Sequence, residues 1–237
     1  MPAAALDDVF GWFRRVDELF STWRPDSEIT QLGNGELGLA DATGDVREVL
    51  ALCDEMRART WGAFDIAVGS DPRVQRWEGL GRLDPSGLVK GWALDRAAAM
   101  LRAAGAANFS LNAGGDVLVA GDTEPGRAWN VGIQHPSRHD RVACTVSVSN
   151  AGIATSGRYE RGDHVIDPRT GAPATALVST TVIDPSLAIA DALATGLLAL
   201  GVDATRWLDA HPDVAAYIIS ADGTTSWTAP FDAMRNE

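Results

Sequence analysis

Lys90 is the one lysine among 20 basic side chains, the other 19 being arginine, and it stands in Leu83-Asp84-Pro85-Ser86-Gly87-Leu88-Val89-Lys90-Gly91. Arginine serves as well as lysine on a solvated face, so a retained ammonium points to a task of its own. The segment puts a glycine-containing turn and one cation at the expected start of a helix. Unpaired N–H groups there, together with the ammonium, suit a phosphate. The spacing is not that of a GxxxxGK[ST] loop. A plain surface lysine is the bland alternative, and the scarcity of lysine weighs against it.

Asp191 and Thr195, four apart in Leu187-Ala-Ile-Ala-Asp191-Ala-Leu-Ala-Thr195, project from the same face of a helix that is otherwise nearly all apolar. A buried carboxylate is costly without a partner. Oxygen ligands of this kind suit Mg²⁺, which keeps waters and shares its coordination with substrate phosphates. Equally, Asp191 could pair with an arginine while Thr195 bonds back to the carbonyl at 191. Spacing alone does not choose between these.

His164 and Asp167 bracket two apolar residues ahead of the turn Pro168-Arg169-Thr170-Gly171. His135, His139 and His211 stand in polar, proline-containing stretches where surface exposure is the simpler account, so His164 is the best general-base candidate. Asn112-Ala-Gly-Gly115-Asp116 places glycines where a backbone or ligand comes close. Ala154-Thr155-Ser156-Gly157 and Gly62-Ala63-Phe64-Asp65 are further small polar turns, and a tight hairpin would explain any of the three.

Positioning these groups requires helices and strands of definite pattern. Apolar residues at spacings of three and four predict a helix over 5–20 and a mate over 45–59, and alanine-rich helices are predicted over 90–104 and 187–200, each stopped by a glycine. Strands are predicted over 141–149 and 176–184, a pair meeting at a Gly-Gly kink over 109–121, and a hairpin over 215–228 around Asp222-Gly223. Helices in the first half and adjacent strands in the second indicate an α+β fold, antiparallel sheets packed with buried alanine-rich helices. Asp84-Pro85-Ser86 and Asp184-Pro185-Ser186, each introducing such a helix, form a faint internal echo.

Composition narrows the function. The 237 residues are 46% hydrophobic, enough for one large domain. A net charge of -12 with no basic stripe argues against nucleic acid or an anionic membrane as partner. Cys53 and Cys144 belong to no metal-binding cluster and read as free, buried thiols. No window is read as a membrane span, and the first 20 residues do not read as a signal peptide, which gives a cytoplasmic expectation, or an exported one if the true start lies upstream.

The ordered series FSTWRPDSEITQL (20–32), GAFDIAVG (62–69), LDPSGLVKGWALD (83–95), LNAGGDVLVAG (111–121), WNVGIQHP (129–136), ATSG (154–157), HVIDPRTG (164–171) and IADALATGLLALG (189–201) resembles the ApbE family, the FAD:protein FMN transferases. The resemblance implies one ApbE-like domain over 1–237 that binds FAD and Mg²⁺ and moves FMN to a Ser or Thr hydroxyl of an acceptor flavoprotein, releasing AMP. It places Asp191, Thr195 and a carbonyl near Gly87 as metal ligands. Asp84 and Lys90 match FAD-site positions, and Asp65, Asn112, Gly115 and Asp116 fall in motifs lining the nucleotide pocket. His164 matches the histidine that takes the acceptor's proton. The chain departs from the pattern in starting downstream of the family's first strand, and in Trp23, where many members have tyrosine; an indole there can stack on flavin or adenine. Mg²⁺-dependent FAD hydrolysis to FMN and AMP, and FAD binding without catalysis, are the competing functions.

Overall fold

The computed structural model describes residues 3–67, 79, 81–158 and 165–236. Its helices are α1 (Ala3–Phe20), α2 (Glu28–Asn34), α3 (Gly44–Arg59), α4 (Ser86–Ala103), α5 (Leu187–Leu200), α6 (Ala204–Ala210) and the short α7 (Ala229–Asp232). The strands are β1 (Phe109–Ala113), β2 (Asp116–Ala120), β3 (Trp129–His135), β4 (Arg138–Val148), β5 (Ala151–Gly157), β6 (Ile166–Asp167), β7 (Ala172–Pro173), β8 (Leu177–Asp184), β9 (Ala215–Ser220), β10 (Thr225–Trp227) and β11 (Arg235–Asn236). Six of them form an antiparallel sheet in the order β1-β2-β5-β8-β9-β10, three form a second sheet, β11-β4-β3, and β6 pairs with β7. The α+β class with antiparallel sheets is therefore what the chain adopts.

The large sheet is buried on both faces. Along β9, Ala216 and Ile218 pack on the helical side, while Ala215, Tyr217 and Ile219 pack with Ile133 and Val146 of the small sheet. That alternation is the period-two geometry of a strand serving two cores. On the helical side α4 and α5 lie together against β2, β5 and β8. α1 closes over α4, with Trp12 and Phe20 ring centroids 5.1 and 5.6 Å from that of Trp92.

Helix α5 is buried nearly all round, and its close approach to neighbours depends on absent side chains. A Cβ at Gly91 of α4 would lie 2.4 Å from the Leu187 carbonyl oxygen, and one at Gly152 of β5 would lie 2.6 Å from the Leu187 Cα. Both approaches are to backbone, which has little room to yield. Although no window reads as a membrane span, the run Leu187–Ala210, α5 continued into α6, is by length and composition apolar enough to cross a bilayer, and it is mostly buried inside the protein.

One expectation changes in detail. Helix α4 begins at Ser86 rather than Lys90, so the lysine sits in its second turn, beyond the unpaired N–H groups. The pair of strands expected over 109–121 does meet at the Gly-Gly step, which is the two-residue turn of the β1–β2 hairpin, with Gly114 and Gly115 at φ 60° and 94° and Ala113 opposite Asp116. Two successive left-handed residues twist a hairpin in the sense its strands favour, which glycine permits without strain. The echo is physical at its first step: Asp84 Oδ1 accepts the Ser86 N–H at 3.2 Å, as Asp184 Oδ1 accepts that of Ser186 at 2.8 Å. Only Ser186 goes on to cap its helix with its side chain.

Candidate functional site

Asp191 lies in the second turn of α5 with 4% of its surface exposed. Its Oδ2 is buried and meets no hydrogen-bond partner among the described residues. Its Oδ1 stands 3.9 Å from Lys90 Nζ, and the same ammonium approaches Asp116 Oδ2 at 2.6 Å. That shorter approach is an ionic contact without the angular alignment of a hydrogen bond. Asp116, buried at the start of β2, uses Oδ1 to accept the Thr155 N–H at 3.0 Å. Two buried carboxylates thus share one ammonium. Burial raises the Asp191 pKa from 3.8 to about 7, Lys90 opposing the rise, Asp116 adding to it, and a Gly91 backbone hydrogen bond opposing it again.

One turn further along α5, Thr195 Oγ1 is 3.1 Å from Ser156 Oγ at the end of β5. Gly87, in the first turn of α4, faces the same hydroxyl: a Cβ there would lie 3.0 Å from Thr195 Oγ1 and 3.3 Å from the Phe64 ring. Any larger residue would fill the space beside the threonine. Lys90, not an arginine, is thus the cation beside Asp191, and Ser156, not the carbonyl at 191, is Thr195's partner.

These groups converge because α4 and α5 are locked in register. Asp95 of α4 accepts the Ser186 hydroxyl at 2.8 Å and the Leu187 and Ala188 N–H groups at 3.0 Å each. A carboxylate on the first N–H groups of a helix satisfies donors that have no partner within it and complements the helix dipole. Since α4 carries Gly87 and Lys90 while α5 carries Asp191 and Thr195, this clamp sets the distance between the two halves of the site.

An oxygen-only set of buried carboxylate, threonine hydroxyl and backbone, one oxygen of it unpartnered, has the chemistry of a hard divalent cation site. Among the described residues no three His, Cys, Asp or Glu side chains group at metal-binding distance, and the candidate set draws only Asp191 from those types. The sequence profile of the ApbE family matches residues 3–81 and 71–218. The chain belongs to the ApbE family. It is 28% identical over 270 residues to the FAD:protein FMN transferase of Klebsiella pneumoniae, covering 90% of this chain and 77% of that one. It is 36% identical over 169 residues to the FAD:protein FMN transferase of Rhodobacter capsulatus, covering 68% and 31%. The fold matches the flavin transferase ApbE from Vibrio cholerae with a TM-score of 0.84 at 24% identity, covering 99% of this chain and 91% of that one. It matches the ApbE protein of Thermotoga maritima with a TM-score of 0.87 at 24% identity, covering 100% and 92%.

Within this ApbE fold the other sequence candidates take distinct places. Asp84 shapes the entry to α4 and pairs through Oδ2 with Arg82 at 3.2 Å. Trp23 is 87% exposed, with the Arg82 guanidinium 5.9 Å from its ring centroid, so it stands on the rim beside that entry. Asn112 is exposed at the β1–β2 turn, where its Oδ1 accepts the Gly115 N–H at 3.4 Å, and that turn presents Asp116 to Lys90. Asp65 does not join the cluster. Its Oδ2 takes the Arg57 Nε at 2.6 Å and its Oδ1 the Ala67 N–H at 3.0 Å.

His164 lies outside the described residues. The chain beyond it is firmly tied: the Val165 carbonyl accepts the Ala174 N–H at 3.0 Å, and Arg169 forks onto Asp167 with two 2.9 Å bonds. Arg169 also reaches Asp203 at 3.3 Å and the Leu200 carbonyl at the end of α5 at 3.5 Å. Burial alone would raise the Asp167 pKa, but the hydrogen bonds and charge of Arg169 prevail and hold it below the usual carboxylate range. His211, read from sequence as a surface histidine, is instead half-buried and stacked on Trp207 at 3.9 Å.

Sequence reasoning did not give Asp95 a role. Its signal was the one that identified Asp191, an acid inside an alanine-rich apolar helix. Ser156 was legible only as part of a small polar turn, because its partner Thr195 is 39 residues away.

Proposed function

We propose that this chain transfers FMN from FAD to a Ser or Thr hydroxyl of an acceptor protein, with Mg²⁺ bound at Asp191, Thr195 and the backbone at Gly87. The observation that carries the reading is the buried, unpartnered Asp191 Oδ2 beside Thr195 and Lys90. Relatives bearing the name FAD:protein FMN transferase over 90% of this chain's length support the reaction. Bound there, Mg²⁺ would neutralise charge on the pyrophosphate of FAD and on the departing AMP.

The protein's own groups supply the rest. Lys90, held between Asp116 and Asp191, fixes a positive charge beside the diphosphate. Trp23 and Arg82, at the rim, offer a planar surface for one of the two ring systems of FAD. His164 takes the proton of the acceptor hydroxyl as its oxygen attacks the FMN phosphorus. The bond from that phosphorus to the AMP oxygen breaks, and FMN remains on the acceptor as a phosphodiester. If water takes the acceptor's place, the same geometry yields free FMN and AMP.

Mass spectrometry of a peptide containing Asp-(Ser/Thr)-Gly-(Ser/Ala)-Thr, incubated with the protein, FAD and Mg²⁺ beside an EDTA control, tests the proposal. A Mg²⁺-dependent FMN adduct that His164→Ala abolishes is expected. Free FMN and AMP without adduct would replace the transferase with a hydrolase, and intact FAD would remove both.

A further inference from the structure

The Lys90 ammonium lies between two buried carboxylates but does not serve them equally. Its Nζ is 2.6 Å from Asp116 Oδ2 and 3.9 Å from Asp191 Oδ1, although an ammonium has three donors to share. The shorter distance is that of a close ion pair, and the longer one is beyond hydrogen-bonding reach. On the far side of the same carboxylate, Asp191 Oδ2 meets no partner among the described residues. Asp191 is therefore buried and yet left open.

The inequality has its cause in the sheet. Pairing of β2 with β5 runs from Val119 opposite Ala151 to Val117 opposite Ile153. Beyond that point Asp116 Oδ1 takes the Thr155 N–H at 3.0 Å, so a side chain continues what the strand leaves off. A buried backbone N–H demands an acceptor, which commits that oxygen. Thr155 is tied onward to β8, its hydroxyl 2.9 Å from that of Thr181. Asp116 also closes the β1–β2 turn opposite Ala113. Held on both sides and 1% exposed, it can offer the lysine only Oδ2, from a fixed place. The residue type fits this tether. A forked guanidinium could bridge both acids, whereas a compact ammonium can be drawn to one of them.

We propose that Asp116 is a positioning residue that holds the Lys90 ammonium off Asp191 and so keeps this carboxylate open to a divalent cation. The inference rests on the metal site proposed above. Released from Asp116, Lys90 would close on Asp191, the second carboxylate beside it. Mg²⁺ gives up its waters reluctantly, so an ammonium already bonded to its ligand is an effective rival.

Mg²⁺ alone is the probe, titrated calorimetrically without FAD into wild type, Asp116→Asn, Lys90→Gln and the double variant. Asparagine keeps an oxygen for the Thr155 N–H, so the sheet contact survives. Fixed charges act additively, and loss of the Asp116 charge by itself would weaken Mg²⁺ by the same factor with or without the lysine; only movement of Lys90 couples the two sites. Asp116→Asn is expected to weaken Mg²⁺ at least about tenfold more when Lys90 is present than in the Lys90→Gln background. A crystal structure of metal-free Asp116→Asn is expected to show Lys90 Nζ within about 3 Å of an Asp191 oxygen. An equal factor in both backgrounds, or an ammonium that has not moved in the variant, would overturn the role of Asp116 and leave the metal site standing. Wild type that binds no Mg²⁺ would remove the metal site and this inference with it.

Discussion

Replacing Asp191 by asparagine is expected to make the metal-free protein more stable in mild alkali and to abolish any stabilisation by Mg²⁺ at the proposed site. Burial raises the Asp191 pKa from 3.8 to about 7, so the folded chain holds that proton more tightly than the unfolded chain. The stability due to the protonated form is therefore full below about pH 4, is lost progressively as pH climbs, and is gone above about pH 7. Over that interval of about three pKa units the loss is about 4 kcal/mol. Asparagine carries no charge to bury, but its amide inherits the unpartnered Oδ2 position at a cost of about 1–3 kcal/mol. The variant should thus gain about 1–3 kcal/mol over wild type at about pH 8.5, and be level with it or less stable at about pH 5. Urea unfolding in EDTA at the two pH values measures the difference, and melting with and without Mg²⁺ measures the metal's contribution. Equal destabilisation at both pH values would show that Lys90 fully compensates the carboxylate, and retained Mg²⁺ stabilisation would remove Asp191 from the ligand set.

Gly91→Ala sets a methyl 2.4 Å from the Leu187 carbonyl oxygen and should destabilise the fold by about 1–3 kcal/mol as α4 and α5 are forced apart. A thermal melt identical to wild type would mean that the helices separate freely. Asp95→Asn keeps the shape of the clamp but removes its charge from the start of α5, for an expected loss of about 1–2 kcal/mol in chemical unfolding. No measurable loss would mean that Ser186 alone holds that helix end. Burial pushes the Cys53 thiol far above its ordinary range and raises the half-buried Cys144 as well. Native-state labelling with a maleimide, read by peptide mass spectrometry, should therefore modify Cys144 well before Cys53. Labelling of Cys53 at an equal rate would contradict its burial.

The helices α1, α3 and α5 and the strand pairs β1–β2 and β9–β10 were legible because their apolar spacings and turn glycines report a local backbone choice. The same held for the chemistry of individual residues. A solitary lysine, and an aspartate and threonine on one face of an apolar helix, announce themselves by type and spacing. What spacing cannot carry is who meets whom across the chain. Lys90 meeting Asp116, Thr195 meeting Ser156 and Asp95 meeting the start of α5 span 26, 39 and more than 90 residues. Each contact exists only because α4 and α5 pack side by side on one face of the sheet. The start of α4 was misplaced by four residues for the same reason. Pro85 caps the helix without a side-chain bond, so the local signal is only the Asp84 contact with the Ser86 N–H, and Leu88 and Trp92 pack into the core from the turns that follow. The sequence by itself thus determined the family, the fold class and the identity of the charged groups, since these depend on residue type and short-range period. Only the tertiary structure decided that two carboxylates share a single ammonium, because that depends on how closely α4 and α5 approach each other and the sheet, which glycines at 91 and 152 allow and no periodicity encodes.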